Sequence, residues 1–297
     1  MIYLQHFGLR EPPFGITPDT SFFYACTSIQ QALNTLVVAV ANGEGFIKIT
    51  GEVGTGKTLL CRKFLATLDD AWISAYIPNP NLEPRSLLLA LAEEIGLRLE
   101  ENLDQHRLIK AFNHALLDLA RRKKRVVACL DETQAMPAET LETLRLLTNL
   151  ETEKRKLVQV VLFGQPELDQ KLAQDSVRQL RQRITFQHRL GTLTRSETGD
   201  YLAHRLSVAG SAADDSIFTR PAVRKIHSAS KGTPRLINIL ANKSMMLAFG
   251  EGSRSVRWRH VRAAISDTPA VSALARLWVW AGLACVAGSG IGWMMLR

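Results

Sequence analysis

The chain has 297 residues, 46% of them hydrophobic, enough for one large core and a smaller satellite, since single domains usually run to roughly 100–200 residues. Its four cysteines, Cys26, Cys61, Cys129 and Cys285, show no paired spacing, which excludes a disulfide framework, and residues 1–24 contain no unbroken apolar run, so no signal peptide is expected. The net charge of +9 is uneven: residues 1–150 carry 15 Lys and Arg against 17 Asp and Glu, whereas residues 151–297 carry 22 against 11. The second half is expected to meet something anionic, nucleic-acid phosphates or the headgroups of an inner leaflet, unless the excess serves only solubility.

Short β-rich apolar runs at Phe46–Thr50, Trp72–Ile77, Val126–Leu130 and Val158–Phe163 alternate with helical spacing over 57–68, 85–97, 108–120 and 137–150. That alternation predicts a parallel sheet covered by helices, with a fifth strand near Ile184–Gln187 closing an α/β domain over residues 1–190. The pattern then becomes purely helical, at 195–209, 220–230 and 234–249, followed by a last piece at 258–265, so a small all-helical domain is expected over residues 191–265. Residues 266–276 read as a basic and polar linker. The run Arg121–Arg125 reads most simply as a solvated turn before a strand, with a nucleic-acid patch as the sharper alternative.

From Leu277 to Leu296 the composition changes to 20 residues without a charge, which as a helix span about 30 Å, the thickness of a bilayer's hydrocarbon core. A C-terminal transmembrane helix is therefore expected, with Trp278, Trp280 and Trp293 at the interfaces. Arg254, Arg257, Arg259, Arg262 and Arg276 precede the span and only Arg297 follows it, which keeps the folded part in the cytoplasm. Gly288 and Gly292 give a weak small-xxx-small signal for helix pairing.

Gly51-Glu52-Val53-Gly54-Thr55-Gly56-Lys57-Thr58 follows a predicted strand and opens a predicted helix, the context that a phosphate-binding loop requires. Glycines let the backbone wrap phosphate oxygens, the amides through Leu59 aim partial positive charge at them, Lys57 reaches the β and γ phosphates, and Thr58 offers a hydroxyl to Mg²⁺. ATP and Mg²⁺ are the expected cofactors. About 75 residues on, the strand Val126–Leu130 delivers Asp131 and Glu132, carboxylates suited to the Mg²⁺ shell and to orienting an attacking water. No zinc spacing, Ser-His-Asp arrangement or second nucleotide motif is apparent.

Taken together, Gly51–Thr58, Asp131-Glu132, Gly164-Gln165-Pro166-Glu167-Leu168, Leu180-Arg-Gln-Arg183 and Gly232-Thr-Pro-Arg235 resemble an AAA+ ATPase. The nearest likeness is to the general secretion pathway A (ExeA-like) family and, within it, to the ATPases of MSHA pilus biogenesis, over about residues 1–265. The stretch with Phe7, Pro13, Phe14, Pro18 and Asp19 is similar to that group's N-terminal segment, which lines the adenine pocket. The resemblance implies Gln165 as a polar sensor of the γ phosphate or lytic water, against the alternative of a loop glutamine without a partner. It implies Arg183, with Arg181 as the next candidate, as the arginine supplied to a neighbour's site; the alternative is a surface residue. Arg235 is expected in the first turn of a helix, with Thr233 as N-cap and Pro234 as its first residue, from where the family's helical lid aims it at nucleotide. Thr133 stands where the group usually has Ala.

The expectation is thus a P-loop AAA+ core with a five-stranded parallel sheet, a small all-helical lid and a C-terminal transmembrane helix. The resemblance implies a single-pass inner-membrane ATPase, homo-oligomeric in the manner of a ring, acting with inner-membrane proteins of a type IV pilus or type II secretion machine. The charged second half keeps a DNA-binding ATPase of the transposition-regulator type as the alternative.

Overall fold

The computed structural model describes residues 3–98, 104–148, 151–152, 155–211 and 217–271. These fall into two compact units, one within Pro18–Gly191 and the other made of the described residues up to Thr17 and from Thr192 to Val271.

In the first unit, five parallel strands form the sheet: β1 (Phe46–Gly51), β2 (Trp72–Ile77), β3 (Arg125–Leu130), β4 (Val158–Gly164) and β5 (Ile184–Leu190), in the order β2-β3-β4-β1-β5. The expected five-stranded parallel sheet is present. Position in the sheet explains composition. Every residue of β4, the central strand, is buried, whereas β5 at one edge alternates half-buried and exposed residues. A strand covered on both faces must be apolar throughout, and an edge strand need not be.

Helices Pro84–Glu94, Gln105–Arg121 and Ala138–Leu147 cover one face, packing Leu88, Leu91, Phe112 and Leu144 against Ala128, Val160 and Leu162. The other face takes helices Thr27–Ala41 and Lys57–Leu65, whose Leu36, Leu60 and Phe64 are fully buried. Each such side chain contributes on the order of 1.5–3 kcal/mol by leaving water. Asp104 starts helix Gln105–Arg121 by accepting the Arg107 amide at 2.8 Å. The basic run ends that helix and enters β3: Arg121 pairs with Asp118 at 2.9 Å, Lys124 donates to the Asp70 carbonyl at 2.5 Å, and Arg125 stacks over Trp72 at 5.3 Å. Two two-residue strands, Glu151–Thr152 and Arg155–Lys156, pair antiparallel between the last covering helix and β4, where a helix reaching residue 150 is expected.

Register sets what the sheet presents. Thr50 lies opposite Gly164, and Leu130 lies opposite Leu162, so β1, β4 and β3 end nearly level. The loops that follow all three emerge on one edge, where ligands of open parallel sheets bind.

The second unit holds helices Arg195–Val208, Arg220–Ser230, Pro234–Gly250 and Trp258–Ser266. Thr194 and Glu197 form a reciprocal capping box at the first of these. The sequence reading assigns residues 1–17 to the α/β domain; they fold with these helices instead. Tyr3 Oη donates to Asn242 Oδ1 at 2.6 Å, Arg10 N to the Ala209 carbonyl at 2.8 Å, and Asn238 Nδ2 to the Gly15 carbonyl at 3.0 Å. Arg205 Nε donates to the Pro13 carbonyl, and Phe14 meets Phe218 edge-on at 5.7 Å. Phe7 and Phe14 are buried in this unit, at 8% and 3% exposure. Among the described residues no helix is long and apolar enough to cross a membrane. The expected span at 277–296 lies outside the described residues.

Gly232 has φ +75°, and a Cβ there would meet the Leu193 carbonyl oxygen at 2.0 Å, because Leu193 N already donates to the Gly232 carbonyl at 2.9 Å. Gly232→Ala combines a left-handed alanine with a backbone clash and should destabilise the helical unit by at least about 2 kcal/mol. A thermal melt of this variant that overlays the wild type would contradict that reading.

Candidate nucleotide site

The first ingredient is the loop between β1 and the helix that follows. Gly54 and Gly56, at φ +80° and +99°, take left-handed conformations that side chains resist, and they turn the chain back over the end of β1. Thr55 is buried and its hydroxyl donates to the Glu52 carbonyl at 2.8 Å, closing the turn. Lys57 opens helix Lys57–Leu65 yet is only 5% exposed, with Nζ donating to the carbonyls of Gly51 at 2.8 Å and Glu52 at 3.1 Å. Burial lowers its proton affinity, and the surrounding Glu132, Asp131, Glu52 and Glu167 oppose that. Glu52 and Val53 are exposed at the loop's rim, and Leu59 is half-buried.

The second ingredient comes from β3. Asp131 is 2% exposed; Thr58 Oγ1 donates to its Oδ2 at 2.6 Å and the Glu132 amide to its Oδ1 at 2.9 Å. Burial pushes its carboxyl above the usual carboxylate range, against the pull of these two bonds and of Lys57. The pair Thr58–Asp131 is a hydroxyl and a carboxylate side by side, hard oxygens of the kind Mg²⁺ takes, joined here by their own hydrogen bond at 2.6 Å. The donor set therefore fits Mg²⁺ with most ligands left to phosphates and water. Among the described residues no group of three or more His, Cys, Asp or Glu side chains could hold a metal alone.

Glu132 sits at φ +52°, a left-handed conformation that a glutamate adopts only when its surroundings hold it. They do. Thr133, fully buried, shares its hydroxyl proton between the carbonyls of Leu130 at 3.0 Å and Phe163 at 2.9 Å, riveting the ends of β3 and β4 together. The Glu132 carboxylate accepts Gln134 Nε2 at 2.6 Å and Gln165 Nε2 at 3.0 Å, both on Oε2. Desolvation raises the proton affinity of Glu132, but the bonds from Gln165 and Gln134 and the charge of Lys57 together bring it below the usual range.

The structure thus brings Gly51, Lys57, Thr58, Asp131, Glu132 and Gln165 to one edge of the sheet; Gln165 is not a loop residue without a partner. Arg183 is elsewhere. It precedes β5, whose first residue lies beside Phe46 at the start of β1 and whose last lies beside Gly51 at its end, so the length of β5, about 20 Å, separates it from the P-loop. Its guanidinium reaches Thr148 Oγ1 at 3.4 Å, and Arg181 is exposed at the end of a one-turn helix. Arg235 occupies the first turn of helix Pro234–Gly250 in the other unit, after Thr233, whose side chain makes no capping bond, and Pro234. Gln134 was not singled out from sequence. Its only signal was its place two residues after Glu132.

Residues 40–172 match the AAA domain family. Around these residues, the chain is 43% identical over 256 residues to general secretion pathway protein A of Aeromonas hydrophila, covering 86% of this chain and 46% of that protein, so the chain spans about half the length of this relative. Solved structures share the fold at low identity. The ORC2 protein of Aeropyrum pernix, in ADPNP-ADP complexes, matches with a TM-score of 0.62 at 17% identity, over 84% of this chain and 72% of that one. The RuvB branch migration motor of Thermotoga maritima matches at 0.52 and 17%, over 82% and 69%. Drosophila ORC bound to DNA matches at 0.64 and 15%, over 91% and 68%. The α/β core therefore has the P-loop AAA fold.

Thr133→Val keeps the shape of the rivet and removes its proton. The expected result is a loss of about 1 kcal/mol in stability with nucleotide affinity unchanged, read from a denaturant melt alongside a fluorescent-nucleotide titration.

Proposed function

We propose that this chain is a membrane-associated AAA+ ATPase that hydrolyses ATP to assist the assembly or regulation of a type II secretion or MSHA-type pilus machine. The observation that carries the ATPase reading is the single cluster Lys57, Thr58, Asp131, Glu132 and Gln165 at the end of β1, β3 and β4. Lys57 would exchange its bonds to the Gly51 and Glu52 carbonyls for phosphate oxygens. Thr58 and Asp131 would hold Mg²⁺, which when bound neutralises charge on the phosphates. Glu132 would orient and polarise water, and Gln165 would touch the γ phosphate or that water. Arg235 would read the nucleotide within the chain, and Arg183 would serve the site of a neighbouring copy in a homo-oligomer.

The likeness to the secretion-pathway protein supports the machine, and the uncharged run 277–296 supports a single-pass anchor in the inner membrane with the ATPase in the cytoplasm. Trp258, 52% exposed, and the exposed Arg254, Arg257 and Arg262 stand shortly before that run, as aromatic and cationic groups near a membrane surface do. Lys57→Ala should abolish nucleotide binding. Glu132→Gln should keep it and lower turnover about 100-fold or more. Equal turnover by Glu132→Gln and wild type would overturn the assignment. Thr58→Val should weaken ATP only when Mg²⁺ is present, which titrations with and without EDTA would separate.

A second reading is a DNA-binding ATPase, favoured by the +11 second half and by the likeness to ORC bound to DNA. Membrane fractionation of the full chain and of a chain lacking residues 274–297 decides between them. The anchored ATPase predicts that only the full chain pellets with membranes; a soluble full chain whose DNA affinity falls steeply with salt would favour the second reading.

A further inference from the structure

Gln134 bridges the two strand ends on which the proposed chemistry depends. Its Oε1 accepts the backbone N–H of Gln165 at 2.9 Å, and its Nε2 donates to Glu132 Oε2 at 2.6 Å. The orientation of the amide follows from its partners: a backbone N–H can only donate and a carboxylate only accept, so the oxygen must face Gln165 and the nitrogen Glu132. The main chain of Gln134 is tethered as well. Lys171 Nζ, from helix Glu167–Leu172, donates to the Gln134 carbonyl at 2.7 Å and the Met136 carbonyl at 2.6 Å.

The effect falls on one oxygen. Gln134 and Gln165 both donate to Glu132 Oε2, and among the described residues no donor takes Oε1, so the two amides hold the carboxylate through one oxygen and leave the other without a donor. Gln165 holds that carboxylate from the end of β4, but Gln165 is itself placed by the bond from its backbone N–H to Gln134. Removing the Gln134 amide therefore frees Glu132 directly and loosens Gln165 with it. A side chain whose only task was to close the turn would not need both of its polar atoms on these two partners.

We infer that Gln134 is a positioning residue for hydrolysis, which fixes the rotamer of Glu132 and ties it to Gln165 without touching nucleotide. The inference rests on the ATPase reading above. It predicts a loss confined to turnover, since ATP binding depends on the P-loop and the chemical step depends on where the Glu132 carboxylate points, and small misplacements of a reacting group are costly.

The experiment is steady-state ATP turnover of the full-length protein as Gln134→Ala and as Gln134→Met, the second keeping the volume of the side chain in case truncation perturbs folding. Each is combined with Glu132→Gln, and fluorescent-nucleotide affinity is measured for all. The expected result is a fall in kcat of about tenfold or more for both single variants, with KM and nucleotide affinity within twofold of wild type. In the Glu132→Gln background neither substitution should cost anything further, because a residue acting through Glu132 has nothing left to position. Turnover within twofold of wild type overturns the inference, as do a kcat loss that multiplies with that of Glu132→Gln and a parallel loss of nucleotide affinity. The two readings fail differently. If Glu132→Gln turns over as fast as wild type, the ATPase assignment falls and this inference with it; if Glu132→Gln is inactive but Gln134→Met is normal, only this inference falls.

Discussion

The hydrogen bond from Thr58 to Asp131 is the contact on which the arrangement of the site depends. It joins the first turn of the P-loop helix to the end of β3, across the intervening β4. A carboxylate 2% exposed is stable only with its oxygens engaged, and an uncompensated buried charge costs several kcal/mol. Asp131 has that company in Thr58, the Glu132 amide and the charge of Lys57, and burial, which lowers the proton affinity of Lys57, is opposed by the carboxylates that surround it. The loop and the strand end are thus one electrostatic unit. Neither could be displaced without leaving a buried charge unanswered.

A second constraint is mechanical. Thr133 clamps β3 to β4 at the level where both strands stop, and the next residues out, Glu132 and Gln165, face each other across that clamp. The left-handed backbone of Glu132 is the local cost of aiming its carboxylate back along the sheet edge while Asp131 points at Thr58. The Thr133 hydroxyl, one proton shared between the carbonyls of Leu130 and Phe163, joins the two strands.

The parts legible in the sequence were those whose signals are local. The P-loop can be read because its glycines, lysine and threonine act within eight residues, and β3 and β4 can be read because strands covered on both faces are unbroken apolar runs. The fifth strand was foreseen only as far as Gln187, since Gln187, His188 and Arg189 interrupt the apolar signal on an edge that solvent reaches; it continues to Leu190. The place of residues 3–17 was not legible. Their partners, among them Ala209, Asn238 and Asn242, lie about two hundred residues away, and Pro13 and Gly15 offer backbone carbonyls that leave no trace in side-chain pattern. Gln134 escaped for a related reason: its importance lies in a bond to the backbone of Gln165, 31 residues on, and glutamine is otherwise an unremarked turn residue.

The sheet has unlike ends. Lys57, Thr58, Asp131, Glu132 and Gln165 gather where the strands finish, and Arg183 stands where the last of them begins. In the proposed reading, an arginine there serves another copy only if that copy turns its strand-finishing edge toward this one's strand-starting edge. Such a contact is head-to-tail, made by two different surfaces, and a twofold axis cannot generate it. Repeated, it closes into a cycle when the rotation per subunit divides a full turn, and otherwise winds into an open helix. The polarity of five parallel strands would then become the polarity of the assembly, with every interface carrying one nucleotide and every exposed end lacking half a site.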